Sequence, residues 1–331
     1  RLVTVTGVQT CALPILLFLK LLLVLGIVAA ILVTVFLLIG LNENNFDYAL
    51  SRRIPKIIAM ILVGISIGFS SLVFQTITNN RILTPSILGL DSLYVLLQTT
   101  LIFILGSGSG VVNGKNANFV ISIVIMIIFS SLIYKFIFRK NSSNIFSLLL
   151  IGVICGTLFE SLTTFMQVLI DPLEFQMIQD KMMASFNNIN TEILLISTVV
   201  IALCIVFSMD FLKILDVMSL GRDEAINLGV DYDKITKKML VVIVILTSVS
   251  TALVGPITFL GLLVVNIARQ LVKTYKHSEL GLATGFISVI ALIGGQLVVE
   301  RILNFGMTIG VIINFVGGIY FIYLVMKERA K

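Results

Sequence analysis

The sequence has little charge and few of the side chains that build disulfides or metal centres. Of its 331 residues, 12% are charged and 58% are hydrophobic, and the mean hydropathy is +1.12. This composition excludes a soluble globular protein. The three cysteines, Cys11, Cys155 and Cys204, are far apart, and two of them lie in apolar runs. They therefore indicate small buried residues rather than a disulfide or a set of metal ligands.

Histidine is nearly absent as well. The one histidine, His277, follows Lys273 and Lys276 at the edge of an apolar run, without cysteine or carboxylate residues grouped around it. We therefore predict no catalytic residues and no metal site, because an intramembrane enzyme would need a nucleophile–base pair or a metal set. The sequence also lacks a Gly-x-x-x-x-Gly-Lys-Ser/Thr loop for binding ATP phosphates. We predict no cofactor bound by this chain, and energy from ATP would have to come from another subunit.

What the sequence does have is long apolar runs. A bilayer core about 30 Å thick needs about 20 apolar residues per helix. Gly64 and Gly68 lie four residues apart, as on the faces of closely packed membrane helices. We predict an all-α polytopic membrane protein with about ten transmembrane helices, of which 256–273 is the least secure. The ten are 15–41, 54–76, 84–106, 118–138, 146–168, 191–209, 235–255, 256–273, 279–303 and 308–326.

The first fourteen residues differ from the leucine-rich helix that follows them. Arg1–Pro14 alternates β-branched and polar residues, and the chain begins with Arg rather than Met. We expect this stretch to be truncated, processed or foreign, and we exclude it from functional reasoning. Helix 15–41 has no cleavage pattern at its end, so it is predicted to be a retained span. Residues 15–331 are predicted to form a single transmembrane domain.

The distribution of Lys and Arg predicts the orientation in the membrane. Ten spans place both termini on one side. With the termini in the cytoplasm, all but six of the 23 Lys and Arg residues lie inside, as the positive-inside rule requires. The six on the outside are Arg52, Arg53, Lys56, Lys115, Lys181 and Arg301.

A polar loop, residues 212–238, interrupts the apolar pattern and faces the cytoplasm in this topology. Membrane proteins of this kind usually have short loops, so its length indicates a surface for a partner protein. Small residues allow close approach, Leu228 offers an apolar contact, and Arg222 offers a polar contact at the edge. The alternative is a solvated amphipathic connector. The predicted docking residues are Gly221, Arg222, Ala225, Leu228 and Gly229.

Three of the outer cations, Arg53, Lys56 and Arg301, form what we call the cationic rim. The orientation rule disfavours them on this side of the membrane. One interpretation is that they interact with lipid phosphates or pair with Asp47 and Glu300. The other is that they bind an acidic docking protein or steer an anionic substrate.

An acidic residue and an external segment are candidates for the transport path. Glu160 lies within an apolar run, and an acid at membrane depth usually faces protein or a water-filled path. It is either a structural hydrogen-bond partner or a residue of that path. The segment 171–190 carries Met177, Met182 and Phe186, flexible apolar side chains that suit a mobile gate. The alternative for this segment is an interfacial helix lying on lipid.

Four stretches of the sequence carry the motifs of one family in the family's order. They are Ser51–Gly89, Gly221–Val230, Leu253–Arg269 (LVGPITFLGLLVVNIAR) and Thr308–Tyr323. The sequence resembles the permeases of iron-chelate ABC importers, which move ferric siderophores, heme and vitamin B12, and the resemblance covers residues 16–331. It departs from the family at Lys56, where Arg is common, and at Val265–Asn266, where Pro-His is common.

The resemblance implies a type II ABC importer permease-like fold and a set of partners. Such a permease pairs with a second permease subunit, identical or different, and works with two ATPases that bind ATP and Mg²⁺ and with an extracytoplasmic solute-binding protein. The resemblance further implies that the polar loop binds the ATPase and that the cationic rim meets acidic residues of the binding protein. It implies a location in the bacterial plasma membrane, among lipid, and no nucleic-acid partner.

The cargo implied by the resemblance is a ferric siderophore. At Val265–Asn266 the sequence is similar to that of the subgroup of the family that serves catecholate and related siderophores. A permease for heme, vitamin B12 or another metal chelate is an alternative. An alternative of another class is an ion-coupled secondary transporter. Such a transporter needs coupling carboxylates in its helices, and Glu160 alone is well placed for that.

Overall fold

We describe the fold from a computed structural model that covers residues 7–41, 46–138, 145–187 and 189–329, within which the chain is helical and contains no strand. A 3-10 turn, Pro85–Leu88, precedes the third helix. In chain order the helices are α1 (Gly7–Leu38), α2 (Phe46–Ile77), α3 (Leu90–Leu105), α4 (Gly110–Asn113), α5 (Lys115–Phe138), α6 (Ile145–Leu169), α7 (Pro172–Met182), α8 (Thr191–Met209), α9 (Leu212–Met218), α10 (Arg222–Asn227), α11 (Tyr232–Val254), α12 (Leu260–Val272), α13 (His277–Arg301) and α14 (Ile309–Arg329).

Eight helices in the described ranges are long and apolar enough to cross a membrane, namely α1, α2, α5, α6, α8, α11, α13 and α14. Two more, α3 and α12, are apolar but have 16 and 13 residues. At a rise of about 1.5 Å per residue, neither of these two alone crosses a core of about 30 Å. The prediction of an all-helical membrane protein is confirmed, and each predicted span corresponds to one of these ten helices.

Helix α2 is the central helix of the molecule. In its most apolar window 78% of the residues are buried, against 11% for α1. It packs against α11, α12 and α13. The buried residues form two large clusters, and α2 contributes to both of them. A displacement of α2 therefore reaches most of the protein core.

Glycines on α2 allow α13 to approach closely. A Cβ atom at Gly68 would lie 2.8 Å from both Ser288 Oγ and Thr284 Cγ2, and one at Gly64 would lie 3.1 Å from Ser288 Cβ. These residues leave no room for a side chain. The predicted role of Gly64 and Gly68 in helix packing is therefore confirmed.

Two breaks shorten the predicted helices. Pro85 starts a 3-10 turn that ends at Gly89, whose φ is 76°, so α3 begins at Leu90 rather than at residue 84. Gly255, with a φ of 96°, ends α11, and α12 begins five residues later instead of at residue 256. Both breaks need a backbone conformation that glycine adopts readily.

Asp91 connects the two breaks. It lies in the first turn of α3, where a carboxylate interacts favourably with the helix dipole. Thr251 on α11 donates to Asp91 Oδ1 and Thr258, in the second break, donates to Asp91 Oδ2, both at 3.4 Å. The carboxylate therefore holds the start of α3 against the α11–α12 connection.

The N-terminal boundaries also differ from the predicted ones. Helix α1 begins at Gly7 and runs through residue 14 without a break, and residues 1–6 lie outside the described ranges. Helix α2 begins at Phe46, and Pro55 lies inside the helix rather than near its start. The predicted span began at residue 54, eight residues after the start of α2.

Candidate functional site

The polar loop folds into two short helices, α9 and α10, between α8 and α11. Gly221 precedes α10 with a φ of 119°, and Gly229 follows it with a φ of 85°. The amide of Gly229 donates to the carbonyl of Ile226 at 2.9 Å, and that of Val230 donates to Ala225 at 3.0 Å. These two bonds form a Schellman turn. The two glycines therefore determine the backbone shape of the loop.

Two of the predicted docking residues, Gly221 and Ala225, are buried. Ala225 is fully buried and belongs to the core cluster that includes Leu215 and Met218 of α9. It contributes nothing to the surface of this chain, so its prediction as a contact residue was wrong. The physical reason is that a six-residue helix against α9 and α11 must turn one face inward, and the smallest apolar residue fits there.

The exposed part of the loop includes three apolar side chains, which we call the exposed apolar surface. Leu220 is 60% exposed, Ile226 is 44% exposed and Leu228 is 64% exposed. Arg222 lies beside them with its guanidinium 3.5 Å from Asp233, and both side chains are about half exposed. Sequence reasoning found Leu228 and missed Leu220 and Ile226. Their apolar character within a polar loop was the available signal.

At the opposite ends of α2 and α13, the cationic rim residues lie close together around the end of α1. Arg53 Nη1 donates to the carbonyl of Leu37 at 2.6 Å, and Arg301 Nη2 donates to that of Ile39 at 2.9 Å. Cations are favourable at a helix C-terminus, where carbonyls lack intrahelical partners. The two arginines therefore also stabilise the end of α1.

Lys56 is paired within the chain. Its ammonium lies 2.9 Å from Glu300 Oε1, and the two side chains are 15% and 11% exposed. Gln296 donates to the same oxygen at 2.9 Å, and Asn187 lies within hydrogen-bond reach of both Lys56 and Gln296. Pairing with Glu300, one of the interpretations left open by the sequence, is correct for Lys56. Docking of a partner on the rim stays a prediction.

Glu160 lies on an exposed face of α6. Ser92 on α3 donates to Glu160 Oε1 at 3.0 Å, yet the residue is exposed in the single chain. The neighbouring Leu158 and Leu162 are also exposed, at 55% and 44%. The structure thus shows a hydrogen-bond partner for Glu160 and leaves its face available for a path or a second subunit.

The segment 171–190 contains the helix α7 followed by a non-helical stretch that the structure describes over residues 183–187. Met177 and Met182 are 37% and 38% exposed, whereas Phe186 is fully buried. The stretch is held by Ser185, which donates from its amide to Val254, and by Ala184, which accepts from Gly310. Phe186 therefore packs in the core in this structure rather than on the surface, and its role as part of a gate stays a prediction. The gating role of the two methionines stays a prediction.

Lys181 joins α7 to the core. Its ammonium donates to Gln98 on α3 at 3.0 Å, and Gln98 donates to Asn118 and Ser122 on α5 at 2.8 and 3.0 Å. Burial lowers the pKa of Lys181. Across the part of the chain that the structure describes, no three His, Cys, Asp or Glu side chains are grouped as metal ligands.

Within the described ranges, ten apolar helices with α2 at their centre, two of them too short to span a bilayer alone, define the architecture of a polytopic membrane protein. The model of the FecCD transport family matches residues 11–327. The chain is 58% identical over 303 residues to the petrobactin import system permease protein YclO of Bacillus subtilis, with 92% of this chain and 96% of that protein covered. The chain therefore belongs to the FecCD transport family.

Two further similarities agree with this assignment. The petrobactin import system permease protein FatC of Bacillus anthracis is 33% identical over 294 residues, covering 88% of this chain and 82% of that protein. A solved inward-facing metal-chelate type ABC transporter matches with a TM-score of 0.81 and 25% identity, covering 94% of this chain and 99% of the solved chain. The predicted family is confirmed. The chain is an ABC importer permease, a transport subunit rather than an enzyme.

Proposed function

We propose that this permease imports a ferric siderophore and that the siderophore is petrobactin. The observation that carries the proposal is the 58% identity to YclO across nearly the full length of both chains. FatC, named for the same cargo, is also similar over most of its length. Heme, vitamin B12 and other chelates are the alternative cargoes.

The permease works with a separate ATPase, which binds ATP and Mg²⁺. The sequence of this chain has no phosphate-binding loop of the usual kind. The exposed apolar surface, Leu220, Ile226 and Leu228, is suited to the groove of such a partner because its burial would stabilise the complex. Residues 15–331 form a single permease domain in this proposal, and an extracytoplasmic binding protein delivers the cargo at the cationic rim.

A second permease subunit, identical or different, covers the face of α6 that carries Glu160. In a lone chain this exposed acid would meet hydrocarbon, and an ionisable side chain facing lipid is costly. Pairing places it against protein or along a water-filled path. The assembly lies in the bacterial plasma membrane with both termini in the cytoplasm, as the positive-inside rule favours for this sequence.

The test is uptake in a strain that lacks its own siderophore permeases. The chain is expressed with its cognate ATPase, binding protein and second permease, and uptake of radiolabelled ferric petrobactin is compared with that of ferric enterobactin, a ferric hydroxamate and vitamin B12. We expect uptake of ferric petrobactin alone. Preferred uptake of another chelate would contradict the cargo.

The same strain tests the energy source. Replacing the phosphate-loop lysine of the ATPase should stop uptake while the ion gradients remain intact. Uptake that persists in this variant and collapses with an ionophore would move the chain to the class of secondary transporters.

A further inference from the structure

His277 is buried where three helices meet. Its Nδ1 lies 2.6 Å from Asp216 Oδ1 on α9, and its Nε2 lies 2.7 Å from Thr76 Oγ1 in the last turn of α2. The side chain is 1% exposed. As the first residue of α13, it therefore connects the polar loop, through α9, to the central helix α2.

Asp216 forms two hydrogen bonds with His277, one with the ring and one with the backbone amide. The backbone amide of His277 also donates to Asp216 Oδ1, at 2.6 Å. The first amides of a helix have no intrahelical acceptor, and a carboxylate there is favoured by the helix dipole. Hydrogen bonds to a charged acceptor are stronger than those between neutral groups. Asp216 thus ties α9 firmly to the start of α13.

The contact with Thr76 is maintained in both protonation states of the ring. A carboxylate accepts hydrogen bonds, so Nδ1 carries a proton and donates to Asp216. In the neutral ring, Nε2 accepts from the Thr76 hydroxyl. In the imidazolium, Nε2 donates to that hydroxyl, which donates in turn to the carbonyl of Leu72 at 2.9 Å. The link between α13 and α2 therefore does not depend on the charge of His277.

The same end of α2 is held by its other neighbours. Tyr232, the first residue of α11, donates to the carbonyl of Ile77 at 2.9 Å. Asn266 on α12 donates to the carbonyl of Arg81, beyond the end of α2, at 3.1 Å. The Asp216–His277–Thr76 chain adds a hydrogen-bonded connection from α9 to this end of α2.

We propose that Asp216, His277 and Thr76 are positioning residues that couple the polar loop to α2 and α13. This inference rests on the proposed function, because the motion to be transmitted is that of an ATPase bound to the exposed apolar surface. Leu220 follows the end of α9 by two residues, so a force on that surface acts on α9 directly. Packed helices move as rigid bodies, and the displaced α2 carries the motion into both core clusters.

The test uses the complete transporter in proteoliposomes, with its ATPase and binding protein. Thr76→Val removes the hydroxyl and keeps the shape of the side chain. We expect ferric petrobactin transported per ATP hydrolysed to fall about tenfold, the factor corresponding to the loss of a buried hydrogen bond in a chain that ends on a charged carboxylate. The ATPase should still co-purify, because the exposed apolar surface is unchanged. Thr76→Ser, which retains the hydroxyl, should restore the ratio.

Thr78→Val is the matched control. Thr78 is also buried, directly after the end of α2, but its hydroxyl donates to the carbonyl of Phe74 in α2 at 2.7 Å and makes no bond to another helix that the structure shows. We expect its transport ratio to match that of the wild type, although both Val variants lose a buried hydroxyl. A purely structural role for Thr76 would lower thermal stability and leave the transport ratio unchanged.

His277→Gln provides a second variant, since it removes the ring bond to Asp216 and retains an amide that reaches toward Thr76. Its transport ratio should fall as that of Thr76→Val does. The proposal is overturned if Thr76→Val keeps the wild-type ratio, or if Thr76→Val and Thr78→Val lower it equally. Failure of the wild-type complex to transport ferric petrobactin would contradict the proposed cargo instead, so the two failures are distinguishable.

Discussion

Ala225 and Leu228 lie three positions apart in the polar loop and have opposite environments. Ala225 is fully buried, whereas Leu228 is 64% exposed. The pattern of small residues around Leu228 pointed to a docking loop, but it treated both residues as contacts. Whether a residue of a short helix is buried or exposed depends on which face of the helix packs against the protein. A six-residue helix is too short for the hydrophobic periodicity of the sequence to show that face.

Charged substitutions at Leu228 and Ala225 should therefore have different effects. Leu228→Glu should weaken ATPase binding by about tenfold or more, because a charge cannot enter an apolar groove without losing its hydration. The thermal stability of the permease should be unchanged. Ala225→Asp should instead lower the free energy of unfolding by at least about 3 kcal/mol, because it buries a charge in the core. Co-purification and thermal unfolding measure the two effects.

Leu173→Glu is the control for Leu228→Glu. Leu173 is 78% exposed and lies on α7, away from the polar loop. The ATPase should bind this variant as it binds the wild type. Co-purification of the ATPase with Leu228→Glu at the wild-type level would contradict docking at the exposed apolar surface.

Among the helices, the short α12 depends on its close approach to α2. A Cβ atom at Gly261 would lie 1.9 Å from Ser71 Oγ and 2.7 Å from Ser71 Cβ. Such distances cannot be relieved by rotating the hydroxyl alone. Seven of the 13 residues of α12 are buried, so the helix lies mainly in the packed interior.

Gly261→Ala should therefore lower the free energy of unfolding by about 1–3 kcal/mol, the usual cost of overpacking a core. Gly294→Ala is the matched control, because Gly294 lies in helix α13 and a Cβ atom there meets nothing within 4 Å. This control should be neutral or slightly stabilising, as alanine is the better helix former. Thermal unfolding in one detergent compares the two, and equal effects would contradict the close approach.

At the scale of the whole molecule, two residues of the cationic rim hold the end of α1 and also carry positive charge. Arg53 and Arg301 donate to carbonyls near the end of α1 and still place two cations on one surface. Substituting both by Gln retains amide donors and removes the charge. If an acidic binding protein docks there, its association rate at low salt should fall by about tenfold. The difference should shrink as ionic strength rises to about 0.15 M, where the Debye length is about 8 Å.

The control is the double variant Lys213→Gln, Lys234→Gln. It removes two positive charges, as the double rim variant does, but from the polar loop. Both lysines are exposed, and their loss should leave the association rate unchanged. Stopped-flow binding to the transporter in nanodiscs measures the rates, and thermal unfolding checks that α1 remains packed. An unchanged rate for the double rim variant at low salt would limit Arg53 and Arg301 to their structural role.

The sequence by itself determined the class of this protein. Long apolar runs leave helices as the way to satisfy backbone hydrogen bonds in lipid, so the ten apolar helices followed from composition and length. The motifs in Ser51–Gly89 and Leu253–Arg269 were sufficient for the family, because they occur in a fixed order over nearly the whole chain. Helix-packing glycines such as Gly68 were also predictable, since close packing in membranes requires small residues.

The tertiary structure alone decided what each polar or functional residue contacts. Burial of Ala225 and Phe186, pairing of Lys56 with Glu300, and the junction at His277 all join residues that are distant in the sequence or depend on one face of a helix. A single sequence contains hydrophobic periodicity and local turn chemistry, but it does not specify which helices become neighbours. His277 looked like an isolated residue at a membrane edge, and only the packing of α2, α9 and α13 brings Thr76 and Asp216 to its two ring nitrogens.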